Sequence, residues 1–440
     1  MKRHILCALS LALMVGCNEV EDRLTWSPDG KQAALRVDDD LYLMDASGKL
    51  TGIVASNVTG AAWLPNGRGL VLTRCFPVAK WTEAESLLPA SEIAAAKMVG
   101  KAWLAFGVDG ADQLELKRPE LASAAILFLS DTQSNELHEA IQKSKDPAKL
   151  EADLSNMRTT QVAEVSIIAL DGKQLRLIVR TLMGLEQARP SPVAPVLAFL
   201  EDKLLTVAPL DGGTNGIAVT DKLAGTYDWT PDGKALVYSA RQGDKDAGGI
   251  QFAEINRHLL IESNGVWMAG DMQLLAMNAT TFEPRVRCMP DSRVLFAGIP
   301  LQLPGRATGA AQFYAIDPAL GTNAVPVAIP TAAGTLPQDL AAFAPSPDGR
   351  QIAIVESGSD SVGVLDVATG NLEVVSPRRG WKSKILPAWR GSNELFFAAL
   401  PAASTNRPEL FRWRKGSAPV AISTNWPDAV VNTLLQKPQK

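Results

Sequence analysis

Apolar residues in this chain come in short runs, each closed off by Pro, Asp, Asn, Gly or Ser. Runs of that length read as buried β-strands between turns, not as helices. The clearest is Trp229-Thr230-Pro231-Asp232-Gly233-Lys234-Ala235-Leu236-Val237-Tyr238-Ser239. Pro231 fixes φ near the value that a type I turn needs. Asp232 can accept a hydrogen bond from the backbone two residues on, and Gly233 supplies the positive φ that reverses the chain. The apolar run that follows predicts the second strand of a hairpin. The unit recurs as Trp26-Ser27-Pro28-Asp29-Gly30-Lys31, Trp63-Leu64-Pro65-Asn66-Gly67-Arg68, Cys288-Met289-Pro290-Asp291-Ser292-Arg293 and Pro345-Ser346-Pro347-Asp348-Gly349-Arg350. Worn copies stand at Trp389-Arg390-Gly391-Ser392-Asn393 and Ser191-Pro192-Val193-Ala194-Pro195. One Pro-Asp-Gly is only a turn. A turn and strand that keep returning form an internal repeat, and the repeat sets the fold class.

A second motif keeps phase with the first. Leu41-Tyr42-Leu43-Met44-Asp45 reads as a third strand, and it returns as Ser166–Asp171, Gln312–Asp317, Val362–Asp366 and, worn, Leu410–Trp413. Each is followed by a Gly-containing turn and a fourth strand. Four strands in about 33 residues match one blade of a β-propeller. The predicted fold is therefore all-β, a seven-bladed β-propeller over residues 24–426, with a tail at 427–440. The modules fall near 22–56, 57–181, 186–222, 223–283, 284–331, 338–381 and 382–426. Six blades and eight are the alternatives, because the third copy has lost its Asp-Gly and 250–283 holds more candidate strands than one blade requires. Trp26, Trp63, Trp229 and Trp389 occupy equivalent repeat positions and are expected to fill the wedge between neighbouring blades.

Trp-Ser-Pro-Asp-Gly-Lys, an apolar strand, then Leu-Tyr-x-x-Asp resembles the WD-like repeat of the TolB-type β-propeller family, over most of 24–424. That family's blades also form the non-catalytic propellers of prolyl-oligopeptidase-like enzymes. The resemblance is specific for fold. For function it implies only envelope-protein partners, whose identity no residue here gives.

Between Arg74 and Val162 the period-2 pattern gives way to helical spacing. The spacing predicts a helix capped by Ser91 through Ile93, Ala94 and Met98 to Trp103, and a second opening at Pro119. A third is capped by Ser134, and a fourth has Asp146 as N-cap and Pro147 at N1. This is a helical insertion in the second blade, at about 76–161, joining a second strand to a third.

Residues 1–16 read as a signal peptide, with Lys2, Arg3 and His4 ahead of an apolar run too short to span a bilayer. Leu13-Met14-Val15-Gly16-Cys17 resembles the bacterial lipobox, with Met14 where that family prefers leucine. The resemblance implies lipid on Cys17, residues 17–23 as a tether and, since Asn18 and no aspartate follows, an outer-membrane lipoprotein facing the periplasm. The bland reading is an ordinary secretory signal.

A net charge of −4 without basic runs disfavours nucleic acid as a partner. Beyond the signal, His138 and His258 are the histidines, too few for a zinc or non-haem iron site, so neither metal nor cofactor is expected. No Gly-x-Ser-x-Gly elbow, His-Glu-x-x-His or phosphate-binding loop occurs. Asp38-Asp39-Asp40 reads as a solvated acidic loop. Cys75 and Cys288 fall in non-adjacent modules and read as two buried thiols.

In a propeller the Pro-Asp-Gly turns lie on one face, and the second-to-third-strand loops lie on the other with the insertion. Binding residues gather on varied loops held by a rigid scaffold, so the insertion face is the predicted working face. Its candidate interaction residues are Trp81, Trp103 and Phe106 in the insertion, with Arg378, Arg379, Trp381 and Lys382 in a blade-to-blade loop. The bland reading packs the aromatic residues against the blade and leaves the basic loop solvated. The leading functional reading is a lipid-anchored, non-catalytic protein-interaction scaffold. Its alternatives are a propeller that binds a small ligand, glycan or peptide, and a hydrolase or lyase with a cryptic acidic site.

Overall fold

The computed structural model describes residues 22–106, 119–155, 159–212, 216–243, 250–302, 306–307, 311–331, 340–356, 361–378, 385–402 and 407–435. The lipid-attachment residue Cys17 and the signal segment lie outside them. The chain divides into two compact units, one of residues 25–242 and 253–275 and one of 1–24, 243–252 and 276–440.

The fold is all-β and of the propeller class: among the described residues four antiparallel four-stranded sheets pair their strands in chain order, and the strands from Leu185–Pro190 to Val327–Ala328 are linked in one twelve-stranded sheet. In the first unit, Leu24–Trp26, Gln32–Val37, Asp40–Asp45 and Leu50–Ala55 form one sheet, and Val58–Trp63, Gly69–Val78, Thr160–Ala169 and Gln174–Thr181 form the next. The third comprises Leu185–Pro190, Val196–Glu201, Leu204–Pro209 and the start of the long strand Ile217–Trp229. That strand pairs back through Leu223 and forward from Ala224, so one strand serves two sheets. In the second unit, Val294–Gln302 pairs with Val286–Cys288 and Gln312–Ile316. Two further four-stranded sheets follow, over Leu340–Val374 and Ala388–Ala421.

The turns are closed as their residue types dictate. In the first, Gly30 N–H donates to the Ser27 carbonyl at 2.8 Å and Lys31 N–H to Asp29 Oδ1 at 3.1 Å. The Ser27 hydroxyl donates to Asp29 at 2.7 Å and accepts from Gln32 N–H at 3.1 Å. The same set recurs at Thr230–Ala235 and Ser346–Gln351. Gly233 has φ 67°, and in the worn copy Ser292 takes the same place at φ 69°, so the turn geometry outlasts the loss of glycine. The closing Asp of the third-strand motif works likewise: Asp45 and Asp366 each accept backbone N–H groups from the turn that follows.

Among the described residues, five apolar clusters each bridge two consecutive sheets. Val71, Val165 and Ile167 of the second sheet pack with Leu197 and Phe199 of the third. Leu295 and Phe313 pack with Phe343 and Ile354 in the second unit. The recurrent tryptophans add a directional bond to this packing. Trp63 Nε1–H donates to the Thr25 carbonyl at 2.9 Å, Trp229 to Arg189 at 3.1 Å, and Trp389 to Ala344 at 3.0 Å. In all three the donor ends the first strand of one sheet and the acceptor lies on the first strand of the sheet before.

Two details differ from the sequence reading. Residues 250–283 hold no additional blade: Gln251–Ser263 and Val266–Thr280 are one long hairpin closed by Asn264 and Gly265, both at positive φ. Cys75 and Cys288 are free thiols but half-buried, not buried.

Trp229→Phe keeps most of the buried area and removes only the indole donor, so it should lower stability by about 1 kcal/mol, against about 3–5 kcal/mol for Trp229→Ala. Urea denaturation followed by circular dichroism measures both. A Trp229→Phe variant as stable as wild type would show that the bond to Arg189 contributes nothing.

Candidate functional site

The helical insertion is a large departure from the repeat. Strands Gly69–Val78 and Thr160–Ala169 pair residue for residue from Gly69↔Ala169 to Val78↔Thr160, so the sheet runs further into the insertion than the apolar pattern indicates. Five helices are described between them: α1 (Trp81–Leu87), α2 (Ala90–Phe106), α3 (Pro119–Thr132), α4 (Ser134–Gln142) and α5 (Pro147–Ser155). The sequence reading has no α1. Pro119 opens α3 as expected, and Asp146 Oδ1 accepts the Lys149 N–H at 3.2 Å as the N-cap of α5. Ser134 is the first residue of α4, not its cap, and Met98 is exposed.

α3 is the hub. Ala124, Ala125, Ile126 and Leu129 are fully buried, and Gly100 of α2 lets the two helices approach closely. A Cβ at Gly100 would meet Phe128 at 3.1 Å. Trp81 and Trp103 are 2% and 3% exposed. Both pack the helices together, as the bland reading has it, Trp81 edge-on to Phe128 at 5.2 Å. Phe106 ends α2. Arg378 is exposed and belongs to the second unit, whereas Arg379, Trp381 and Lys382 lie outside the described residues.

The insertion's core is continuous with the end of the second sheet through Val78, Val162 and Leu182. Polar contacts hold the joint. Glu92 of α2 accepts the Thr181 hydroxyl at 2.6 Å and the Leu182 N–H at 2.8 Å, and Asp131 of α3 accepts the Trp81 N–H at 2.6 Å. Beneath them, Arg74, Glu164 and Arg180 stand opposite one another on three adjacent strands. The Glu164 side chain is wholly buried. It accepts from Arg74 Nη2 at 2.6 Å and from Arg180 Nε at 2.9 Å, with a second, shorter bond from Arg180 Nη2. Arg180 also donates to the Leu87 carbonyl at the end of α1 at 3.3 Å, so one guanidinium ties sheet to helix. Burial alone would raise the Glu164 carboxyl; hydrogen bonds from Arg180 and Ser166 and the two arginine charges outweigh it and hold the group below the ordinary glutamate range. The sequence signal for this row was a single charge inside an otherwise apolar strand, Val162-Ala163-Glu164-Val165.

A cleft of about 510 Å³ opens at this joint, with Leu87, Leu88 and Pro89 on the helical side and Leu177, Ile178, Val179 and Arg180 on the outer strand of the sheet. A second, of about 430 Å³, lies on the turn side between the second and third sheets, lined by Leu64, Pro65, Leu175, Val193 and Pro195 with Asn66 and Arg176. Both linings are aliphatic apart from an amide and guanidinium groups, a surface suited to apolar contact and hydrogen bonding and without a proton-transfer group. Glu394 repeats the Glu164 arrangement with Arg390 and Arg414; burial would raise it, and those two arginines hold it low. Among the described residues each carboxyl whose pKa is displaced moves downward; burial would raise Glu254, and its bonds from Lys222 and Asn256 outweigh that effect. His258 Nε2 lies 2.9 Å from the Gly270 carbonyl, and burial lowers its pKa; His138 is exposed on α4. Among the described residues no group of three His, Cys, Asp or Glu side chains is placed to hold a metal ion. Nor is any described helix long and apolar enough to cross a membrane.

No family model matches the sequence, and no curated protein matches it. Several solved structures resemble it. TolB from Acinetobacter baumannii is 18% identical with a TM-score of 0.36, over 57% of each chain, so the chain spans little more than half of TolB's length. The Swd1 β-propeller domain of Myceliophteria thermophila is 10% identical with a TM-score of 0.46, over 87% of this chain and 94% of that one. Puromycin hydrolase is 12% identical with a TM-score of 0.49, over 96% of this chain and 55% of its own.

Glu164→Gln leaves two half-buried arginines without a counter-charge and should cost roughly 3 kcal/mol at neutral pH. Because the folded-state carboxyl is held low, its stabilisation is complete above the ordinary glutamate range and fades as pH falls through the folded-state value. The stability difference between wild type and Glu164→Gln should therefore shrink on acidification. Urea midpoints across pH measure this, and a constant difference would assign the loss to packing instead.

Proposed function

We propose that this chain is a non-catalytic protein-interaction scaffold of the bacterial cell envelope, held to the membrane by lipid on Cys17 and facing the periplasm. One observation carries the reading. A helical guest is fixed to the end of a propeller-type sheet by a continuous apolar core and by the Glu92 and Arg180 bonds, and that joint opens an aliphatic cleft. Rigid support under a non-repeating element is how repeat folds present binding residues. The Gly-Cys end of the apolar N-terminal run supports the anchor. The partner is an envelope protein whose contact is largely apolar, as the cleft lining requires.

The turn-side cleft favours a second reading, capture of a small ligand, glycan or peptide, since its volume lies within the range of ligand pockets. Val193, 70% exposed at its rim, separates the two readings because it is remote in sequence from the insertion.

Two variants test the proposal in pull-downs from solubilised membranes. In the first, residues 80–158 are replaced by a two-residue turn, which retains the Val78↔Thr160 ladder. In the second, Val193→Arg blocks the turn-side cleft. The scaffold reading expects partner recovery to fall at least about tenfold in the first and to persist in the second. Equal recovery from wild type and the insertion-free protein would remove the insertion from the mechanism.

A further inference from the structure

The long hairpin of the first unit carries a feature that neither the propeller repeat nor the insertion explains. Outer strands in a sheet are open edges, and proteins blunt them with charge, bulges or brevity. Most outer strands here are blunted. Leu50–Ala55 and Ile217–Leu223 are out of step with their neighbours, Gln174–Thr181 carries two arginines, and Val327–Ala328, Leu372–Val374 and Val420–Ala421 span two or three residues. Val266–Thr280 is 15 residues long. Among the described residues a later strand meets it only at its base, Asn278↔Pro300 and Ala279↔Ile299. From Val266 to Leu274 the only charge is Asp271.

One face of that stretch is apolar and exposed: Val266 60%, Met268 45%, Met272 47% and Leu274 51%. Ile261 of the partnering strand, 49% exposed, fills the space above Gly270, where a Cβ would lie 2.9 Å from its Cδ1. Asn264 and Gly265 close a two-residue turn at φ 54° and 77°. Such a turn fixes the ladder so that even-numbered residues bond inward, while Trp267, Ala269 and Asp271 aim their N–H and C=O groups at the open side.

The exposed residues are symmetric about Gly270. We propose that two copies of this chain pair antiparallel along this edge, with a two-fold axis at Gly270. In that register Met268 of one copy faces Met272 of the other, and Val266 faces Leu274. Ala269 and Asp271 exchange backbone hydrogen bonds, and no aspartate meets an aspartate. Four half-exposed apolar side chains per copy, Val266, Met268, Met272 and Leu274, meet across the pair, which makes a small interface of the weak, reversible class. An edge pairing of this size is expected to dissociate at micromolar concentrations or above.

Sedimentation velocity on the full chain tests this. Wild type should be monomeric below about 1 μM and dimeric by about 100 μM. Met268→Lys/Met272→Lys sets lysine against lysine and should weaken the dimer at least about a hundredfold. Met268→Lys/Met272→Glu sets lysine against glutamate at both symmetric positions and should restore association to within about tenfold of wild type. Unchanged thermal midpoints confirm that both variants fold. A wild type that stays monomeric, or a lysine pair that dimerises as well as wild type, overturns the proposal; the first would leave the edge to an extended segment of another protein.

Discussion

No sheet in this protein can stand alone. Five apolar clusters are each shared by two consecutive sheets, so burial of one sheet depends on the presence of the next. The hydrophobic effect supplies the driving force but no direction. Direction comes from the tryptophan donors, which reach from the first strand of one sheet to a carbonyl on the first strand of the sheet before it and so fix how neighbouring sheets register. Everything else hangs on this constraint, because a turn or a guest element can vary only where it does not disturb the shared face.

The tight turns follow from that. Their Ser or Thr hydroxyls, Asp carboxylates and positive-φ residues satisfy the backbone locally, so each hairpin is closed without help from elsewhere. The copy at Met289–Arg293 keeps the turn with Ser292 in place of glycine and Met289 in place of the hydroxyl residue, held by the Asp291 carboxylate and the Ser292 N–H bond to the Met289 carbonyl. The opposite ends of the strands have no such requirement, and there the chain carries its insertion. The second sheet accommodates it by extending its two middle strands and burying a carboxylate between two arginines, a costly arrangement unless fully paired.

Much of the fold was legible because the repeat is written in local chemistry. Pro-Asp-Gly turns, four-strand spacing and the Asp that closes a third strand act within a few residues, and the tryptophans, which bond to the sheet before, were legible because they recur at the same place in the repeat. The insertion was legible as helical, although α1 was not, because Trp81–Leu87 is short and carries no capping residue. The site was less legible. Trp81 and Trp103 stand out in the sequence as aromatic anchors, yet both are buried, since nothing in a local pattern says which face of a helix meets its neighbours. The surplus strands at 250–283 left an eighth blade open as an alternative, because a long hairpin and two short ones share the same periodicity.

By itself the sequence determined the all-β repeat, the turn chemistry and the position of the helical guest, all of which depend on residues close together along the chain. Only the tertiary structure decided that Arg74, Glu164 and Arg180 form one row, that Glu92 locks the insertion to the second sheet, and that the aliphatic cleft opens at that joint. Those contacts join residues about 90 positions apart in the chain and depend on which strands pair across the insertion, a choice set by burial in three dimensions and not by any local preference.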